Sequence, residues 1–317
     1  MTPRETIRDL AEHVKSAVVP HLGEWRSRRI TGIASSGDTT FDIDDIAEEA
    51  VAEFIRDRGL NVCYYSEDRG LIRPDGVKSP DGVLIIDPID GTRGAIANLE
   101  SCVVSVAWAD YSEKPTLGDV RYAGITEIKG NLSFSSERGC GVQITNGSGQ
   151  SVEPFRAPTT EIDKMGWSLG MVGAPSAPLY QVVGSIVDRT TVAGGFFVLN
   201  SSAFELTRLV TGQLAAAVDV RNRLLKDYPE TREAFIKHGL GRLLSLYGYD
   251  VAGAANIALE AGCVVTDAWG RSLSDWELLD TSEANFGSFI AASNAELHAK
   301  LVEEIDRGFA EFGATVR

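Results

Sequence analysis

The stretch "LIIDPIDGTRGA" at residues 84–95 constrains the fold of this chain more than any other. An apolar, β-branched run of the kind a buried strand favours ends abruptly in two acids, Asp87 and Asp90, followed at once by Gly91 and Thr92. A strand that hands two carboxylates and a tight turn to one edge of a sheet makes either ordinary turn chemistry or a site for cations and phosphate. The order of residues suits the second. Asp87 can bridge two ions, Pro88 presets the turn, the Ile89 carbonyl is free to act as a ligand, and Asp90 can hold the second ion. Gly91 lets the backbone approach a phosphate closely, the amides after it would point at phosphate oxygens, and Thr92 can orient a water. This is the two-ion layout for in-line phosphoryl transfer to water.

Other acids stand at similar places. Asp44 lies at the start of an expected helix, Glu67 follows the expected strand "NVCYY", and Asp250 opens the helical segment "YDVAGAANIALEAG". Strand C-termini and helix N-termini are where α/β proteins bind ligands. Carboxylates gathered there repel one another unless divalent cations bind them, and hard oxygen donors suit Mg²⁺ or Mn²⁺ better than zinc. Capping alone would explain Asp44 or Asp250 taken singly, and Asp68 competes with Glu67 as the ligand. A plain turn at Asp87 does not explain the whole set.

The bulk properties narrow the partners. A formal net charge of −15 argues against nucleic acid or an anionic membrane surface. It leaves room for anionic small substrates if cations stand between protein and ligand. Cys63, Cys102, Cys140 and Cys263 form no paired motif, and three sit among apolar or β-prone residues, as small core side chains do in a reducing compartment. His13, His21, His238 and His298 lack zinc-ligand spacing. The N-terminal segment carries charge throughout, so neither a signal peptide nor a membrane span is expected, and the protein reads as cytoplasmic.

Helical periodicity predicts a first helix through residues 7–18 and others at 42–59, 178–189, 202–212, 249–262 and 295–312. Strands are expected at 61–65, 82–87, 191–199, 213–220, 263–268 and 287–294, with a β-rich stretch over 101–144. The expectation is one domain of stacked sheet and helix layers over residues 1–317. In it, 1–150 is a β-rich half carrying the metal site and 151–317 an α/β half completing the substrate site.

"SEDRG" at Glu67, "DPIDGTRGA" from Asp87 and "YDVAGA" at Asp250 resemble, in order and separation, the three signature motifs of the inositol monophosphatase family. That family belongs to a magnesium-dependent, often lithium-sensitive phosphatase superfamily with fructose-1,6-bisphosphatases and nucleotide 3′-phosphatases. "GDTTFDIDDIAEE" resembles its upstream Asp motif and "LNSSAFELTRLVTGQLAAAVD" its substrate-side segment. The resemblance implies an αβαβα sandwich, found as a homodimer, that hydrolyses a small phosphate ester. It implies two or three Mg²⁺ ions, with Mn²⁺ as a substitute and Li⁺ or Ca²⁺ as inhibitors. Glu67, Asp87 and the Ile89 carbonyl would hold the first ion, and Asp87, Asp90 and Asp250 the second. Glu67 would help with a third through water. Thr92, paired with Asp44, would activate the attacking water. Asp90, Gly91, Thr92, Asn200, Ser201 and Ser202 would meet the substrate, and Arg93 and Arg221 are read from the residues themselves as further contacts for a second phosphate. A catalytically inactive sugar-phosphate-binding homologue is the reading from another class, and the intact acidic set speaks against it.

Three departures bear on the substrate. Tyr249 replaces the usual Trp before the last Asp, and Asn200 replaces a common Gly. The acid that contacts the inositol ring in animal-type members has no counterpart in "GRLLSLYGYD". The segment over residues 221–242 carries Arg221, Arg223, Lys226, Arg232, Lys237 and Arg242. It reads either as a solvated helix face or as a basic flap for a second phosphate, as in fructose 1,6-bisphosphate.

Overall fold

Val83 and Ile85 pack to one side of their strand and Leu84 and Ile86 to the other, the two-residue period of a strand buried on both faces. The computed structural model describes residues 1–35 and 37–315. The chain runs through α1 (Pro3–Val18), β1 (Ile30–Ile33), β2 (Thr39–Phe41), α2 (Asp42–Asp57), β3 (Cys63–Ser66), β4 (Gly70–Ile72) and β5 (Val83–Asp90). It continues through the short α3 (Thr92–Ile96), β6 (Val103–Ala109), β7 (Val120–Glu127), β8 (Leu132–Glu137), β9 (Val142–Asn146) and β10 (Ser151–Val152). Then come β11 (Gly166–Leu169), α4 (Ser176–Thr190), β12 (Gly195–Phe197), α5 (Ser202–Val210), β13 (Ala216–Asp219) and α6 (Arg221–Asp227). Last are α7 (Arg232–His238), α8 (Gly248–Glu260), β14 (Val264–Thr266), β15 (Phe289–Ala292) and α9 (Ala295–Thr315).

Strands β3 to β10 form one sheet in the order β10-β9-β8-β7-β6-β5-β3-β4, and β11 to β15 a second in the order β12-β11-β13-β15-β14. Three apolar clusters define the layers. The first packs α1 and α2 on the outer face of the large sheet, through Leu10, Val14, Val51 and Phe54 against Leu84, Ile86 and Val104. The middle cluster places α5 and α8 between the sheets, with Ile85, Ile125, Leu206, Ile257 and Phe289 in contact. The third covers the small sheet with α4 and α9, through Val183, Ile186, Leu301 and Ile305 against Trp167, Val218 and Ile290. The result is the expected αβαβα sandwich. Helix α8 is buried nearly all round, as a helix between two sheets must be.

Strand β5 runs further than the sequence predicts. The DPID residues, expected as a loop, stay in the strand, because pairing with β6 resumes at Asp90↔Val103 after a register shift following Asp87↔Ser105. Pro88, without an N–H, falls inside that shift, where no ladder bond is lost. Strand β12 is shorter than expected. It is an edge strand and pairs only with β11, and Val192, within the predicted strand, is 95% exposed. Cys63, Cys102 and Cys263 are buried and Cys140 is exposed, all as free thiols. No helix among the described residues is long and apolar enough to cross a membrane.

Candidate active site

Strands β3 and β5 are parallel neighbours, so both deliver their C-terminal residues to the same edge of the sheet. That places Glu67 beside Asp87 in the wall of one cavity, with Ile89, Asp90, Gly91, Thr92 and Arg93. From the second sheet side the wall is closed by Asn200, Ser201, Ser202 and Glu205, by Arg221, and by Asp250. The residues singled out from sequence, scattered over more than 180 positions, thus meet around one space. Asp44 is the exception: it stands behind the wall, and Thr92 lies between it and the cavity.

Thr92 links the two. Its Oγ1 lies 2.9 Å from Asp44 Oδ1 and 3.1 Å from the Ile89 carbonyl oxygen. The hydroxyl has one proton, so a bond given to Asp44 leaves a lone pair directed away from it. The other carboxylate oxygen of Asp44 accepts the Phe41 N–H at 2.8 Å, closing the first turn of α2. Asp250 repeats the device at α8, accepting the Tyr247 N–H at 2.7 Å. Both acids therefore cap their helices, and capping leaves Asp44 Oδ1 bonded to Thr92 and Asp250 in the cavity wall.

Asp90 is held from across the sandwich. Ser201 Oγ donates to Asp90 Oδ2 at 2.9 Å, and the Ala203 N–H at the start of α5 donates to the same oxygen. The Ser201 hydroxyl also accepts the Phe204 N–H as the N-cap of α5, so it ties Asp90 to the start of that helix. Gly91 makes the turn from β5 into α3. Its φ of 92° is left-handed, and a Cβ there would lie 2.2 Å from the Ser101 carbonyl oxygen and 2.9 Å from Ser201 Cβ. Any side chain there would collide with the Ser101 backbone and with Ser201 unless the turn moved.

Burial dominates the electrostatics. It pushes Asp90 up to about 6, against the hydrogen bonds from Ala203 and Ser201. Asp250 rises to about 8 by burial, countered by the Tyr247 N–H. Asp44 rises to about 7, again by burial, with Phe41 and Thr92 pulling down. Glu67 and Asp87 are raised well above the usual carboxylate range, first by burial, then by the charges of Asp87 and Asp250 on Glu67 and of Asp90 and Asp250 on Asp87.

As they stand, no three acidic, histidine or cysteine groups among the described residues close on one point. The donor set nonetheless fits hard divalent cations. It is all oxygen, its acids are buried together, and the nearest arginines are already neutralised, Arg221 by Asp219 at 2.6 Å and Arg93 by Asp38 at 3.0 Å. Asp87, Asp90, Asp250, Glu67 and the Ile89 carbonyl are the groups that would hold them. Asp68 is bound to Thr40 Oγ1 and stands outside the cavity lining.

The basic flap requires correction. Arg223 is only 8% exposed, pairs with Asp306 at 2.6 Å and stacks on Phe309. Arg232 pairs with Glu283. These cations hold α6 and α7 to the body instead of forming one basic face. Two groups at the site went unread in the sequence. Asp219, at the end of β13, is a buried acid, but its oxygens accept the Arg221 N–H, Nε and Nη2. What reaches the cavity is therefore the guanidinium. Glu205 lies one helical turn beyond Ser201, a spacing that puts both on one face, and burial raises it to about 8.

Comparison with known proteins agrees with this geometry. The family model described as the inositol monophosphatase family matches residues 4–307. A curated relative from Methanothermobacter thermautotrophicus, a fructose-1,6-bisphosphatase/inositol-1-monophosphatase, is 27% identical over 311 residues, covering 94% of each chain. The inositol-1-monophosphatase of Aeropyrum pernix is 26% identical, covering 86% of this chain and 88% of its own. Among solved structures, the extragenic suppressor protein suhB of Bartonella henselae shares the fold with a TM-score of 0.70 at 17% identity, covering 96% of this chain and 98% of that one. A cavity of cation-hungry acids backed by a Thr–Asp pair, on this sandwich and with these relatives, makes the chain a member of the inositol monophosphatase family and a metal-dependent phosphoric monoester hydrolase.

Proposed function

We propose that the protein is a Mg²⁺-dependent phosphomonoesterase for a small polyol or sugar phosphate, with an inositol monophosphate as first choice. The observation that carries the reading is the Thr92–Asp44 pair, 2.9 Å apart, beside a cavity whose walls bring Glu67, Asp87, Asp90 and Asp250 together. Mg²⁺, when bound, supplies Lewis-acid polarisation of the phosphate and a more acidic water. The chain does the rest. Asp44 accepts the Thr92 proton, which leaves the Thr92 oxygen to orient a water and take up its proton. Gly91 keeps the backbone close to the phosphate. The second anchoring wall, through Asn200 and Glu205, meets the ester's hydroxyl groups, since Asn200 Oδ1 and Glu205 Oε1 are buried without hydrogen-bond partners among the described residues. The reading includes the cytoplasm as compartment, in keeping with four free thiols, and a homodimer of this chain. Fructose 1,6-bisphosphate is the second substrate reading, favoured by Arg242 in the wall of the space beyond Arg93.

A panel of phosphate esters assayed with Mg²⁺ and with EDTA tests the proposal. Release of phosphate from inositol 1-phosphate or another small ester, lost in EDTA and restored by Mg²⁺, is expected. Undiminished hydrolysis in EDTA would overturn it.

The raised acids make a separate prediction about stability. Their folded pKa values lie above the unfolded ones, so between about pH 4 and pH 8 the folded chain binds more protons than the unfolded chain. Metal-free protein should therefore lose stability as pH rises through this window. Saturating Mg²⁺ should restore it at pH 8, raising Tm by about 4 °C for each ion present at ~100 times its Kd. A metal-free Tm that is flat or climbs from pH 5 to 8 would contradict this account.

A further inference from the structure

Behind the catalytic cavity lies a separate space of about 500 Å³, within the roughly 300–1,000 Å³ of small-molecule pockets. Its walls come from α6, from the turns that follow β14 and from the segment that leads into β15. The two spaces have no wall residue in common among the described residues. We infer that this space is a second small-molecule site, and that its ligand is a neutral cyclic polyhydroxy compound, a monosaccharide or a ring polyol.

Two buried polar side chains in its wall call for a ligand. Asn222 is 2% exposed and Ser288 1%, yet Asn222 Oδ1 and Ser288 Oγ have no hydrogen-bond partner among the described residues. Asn222 Nδ2 donates to the Phe286 carbonyl at 2.6 Å, which fixes the amide and leaves Oδ1 an acceptor without a donor. The Ser288 hydroxyl holds no bond and can turn to give one or take one. Buried groups of this kind are unfavourable until something meets them.

The rest of the lining decides the class of ligand. The Trp276 N–H donates to the Asn285 carbonyl at 2.9 Å, and the Trp269 N–H to the Asp227 carboxylate at 3.3 Å. With their donors used, the two indoles bring fixed carbon surface to the wall. Charge cancels there. Lys226 and Arg271 stand against Asp267 and Asp275, and Arg271 is already held by Asp267 at 2.7 Å. An ionised ligand would gain no net attraction. A cyclic polyol suits both parts of the wall, its C–H face against the rings and its hydroxyl groups on Asn222 and Ser288.

The partition from the catalytic cavity is thin. Arg221 and Asn222 are consecutive in α6, yet Arg221 lines the catalytic cavity and Asn222 the second space. Between the two runs the bridge Leu246↔Gly287, with the Gly287 N–H bonded to the Leu246 carbonyl at 2.8 Å. Trp276 lies so close on Gly287 that a Cβ there would meet its Cζ2 at 1.7 Å. The second space offers no acid free for chemistry among the described residues, since Asp267 holds Arg271 and Asp275 accepts from Ser274 Oγ at 3.1 Å. It is built to bind.

Calorimetry with D-glucose and with myo-inositol on the full chain, followed in parallel by tryptophan fluorescence, tests the site. Saturable one-to-one binding of at least one of them, with a change in emission, is expected. Ser288→Ala removes no hydrogen bond, so its Tm should equal or exceed that of the parent while its Kd rises about fivefold or more. Trp269→Leu, at a part-exposed position, should raise Kd at least about tenfold and decides the matter should the alanine variant fail to fold. D-glucuronate, a sugar ring with a carboxylate, should bind no tighter than glucose. No saturable binding, or an unchanged Kd in either folded variant, overturns the site. Tighter binding of glucuronate overturns the neutral class. Competition by inorganic phosphate with Mg²⁺ would place the sugar in the catalytic cavity and overturn the site as well.

Discussion

Asp87→Asn should lower kcat/KM by at least about 10³-fold while leaving the metal-free protein as stable as the parent, or more stable, at pH 8. The first half follows from charge. An asparagine keeps the shape and can still accept the Ile89 N–H that Asp87 Oδ1 accepts at 3.1 Å. It cannot offset the charge of bound cations, whose stabilisation of the transition state is worth several kcal/mol, or about three decades in rate. The second half follows from the neighbours. Asp87 is buried beside Asp90, Asp250 and Asp44, each of which disfavours its ionised form. An uncharged side chain removes that repulsion from the metal-free fold. Calorimetric titration with Mg²⁺ and thermal melts in EDTA separate the two effects. Parent-like turnover would remove Asp87 from the cation set. Loss of turnover together with loss of fold at pH 8 would recast it as a structural residue. Asp68→Asn is the control: that carboxylate bonds Thr40, so its loss should leave Mg²⁺ dependence in place.

The layered fold and the acid set were legible because their signals are local. The alternation of Val83 to Ile86, the helical spacing of Ile43, Ala47 and Val51, and acids at the ends of elements need no knowledge of distant residues. What stayed hidden depends on tertiary pairing. Whether Asp87 to Asp90 leave the sheet is decided by β6, which recaptures the strand at Val103. A count of Lys and Arg over residues 221–242 cannot show that Arg223 faces Asp306 and Phe309 while Arg242 faces a cavity. Asp219 and Arg221 are two residues apart, yet only the turn after β13 folds one onto the other. Reading the segment by composition treated these cations as one surface. The structure divides them into three anchoring arginines (Arg221, Arg223 and Arg232), two exposed lysines and one guanidinium, that of Arg242, without a carboxylate partner among the described residues.

Thr92→Ala should lower kcat by about 10²–10⁴, the range for losing general acid–base help, with Mg²⁺ affinity nearly unchanged. The hydroxyl touches Asp44 and the Ile89 carbonyl, and no carboxylate of the cation set depends on it for a hydrogen bond. Substrate binding should therefore survive, and the loss should fall on kcat more than on KM. Thr92→Ser is the informative companion. It restores the hydroxyl without the methyl group, so it should retain most of the activity if the Oγ1–Asp44 bond is what matters. Asp44 itself is a poorer target, because its second oxygen closes the first turn of α2 on the Phe41 N–H, and a substitution there mixes folding with chemistry. Burial that lifts Asp44 to about 7 makes it a base poised near neutrality. The rising limb of the pH–kcat profile should then belong to this pair and flatten in Thr92→Ala. A profile unmoved by the alanine, or a kcat within a few-fold of the parent, would assign the water to another residue.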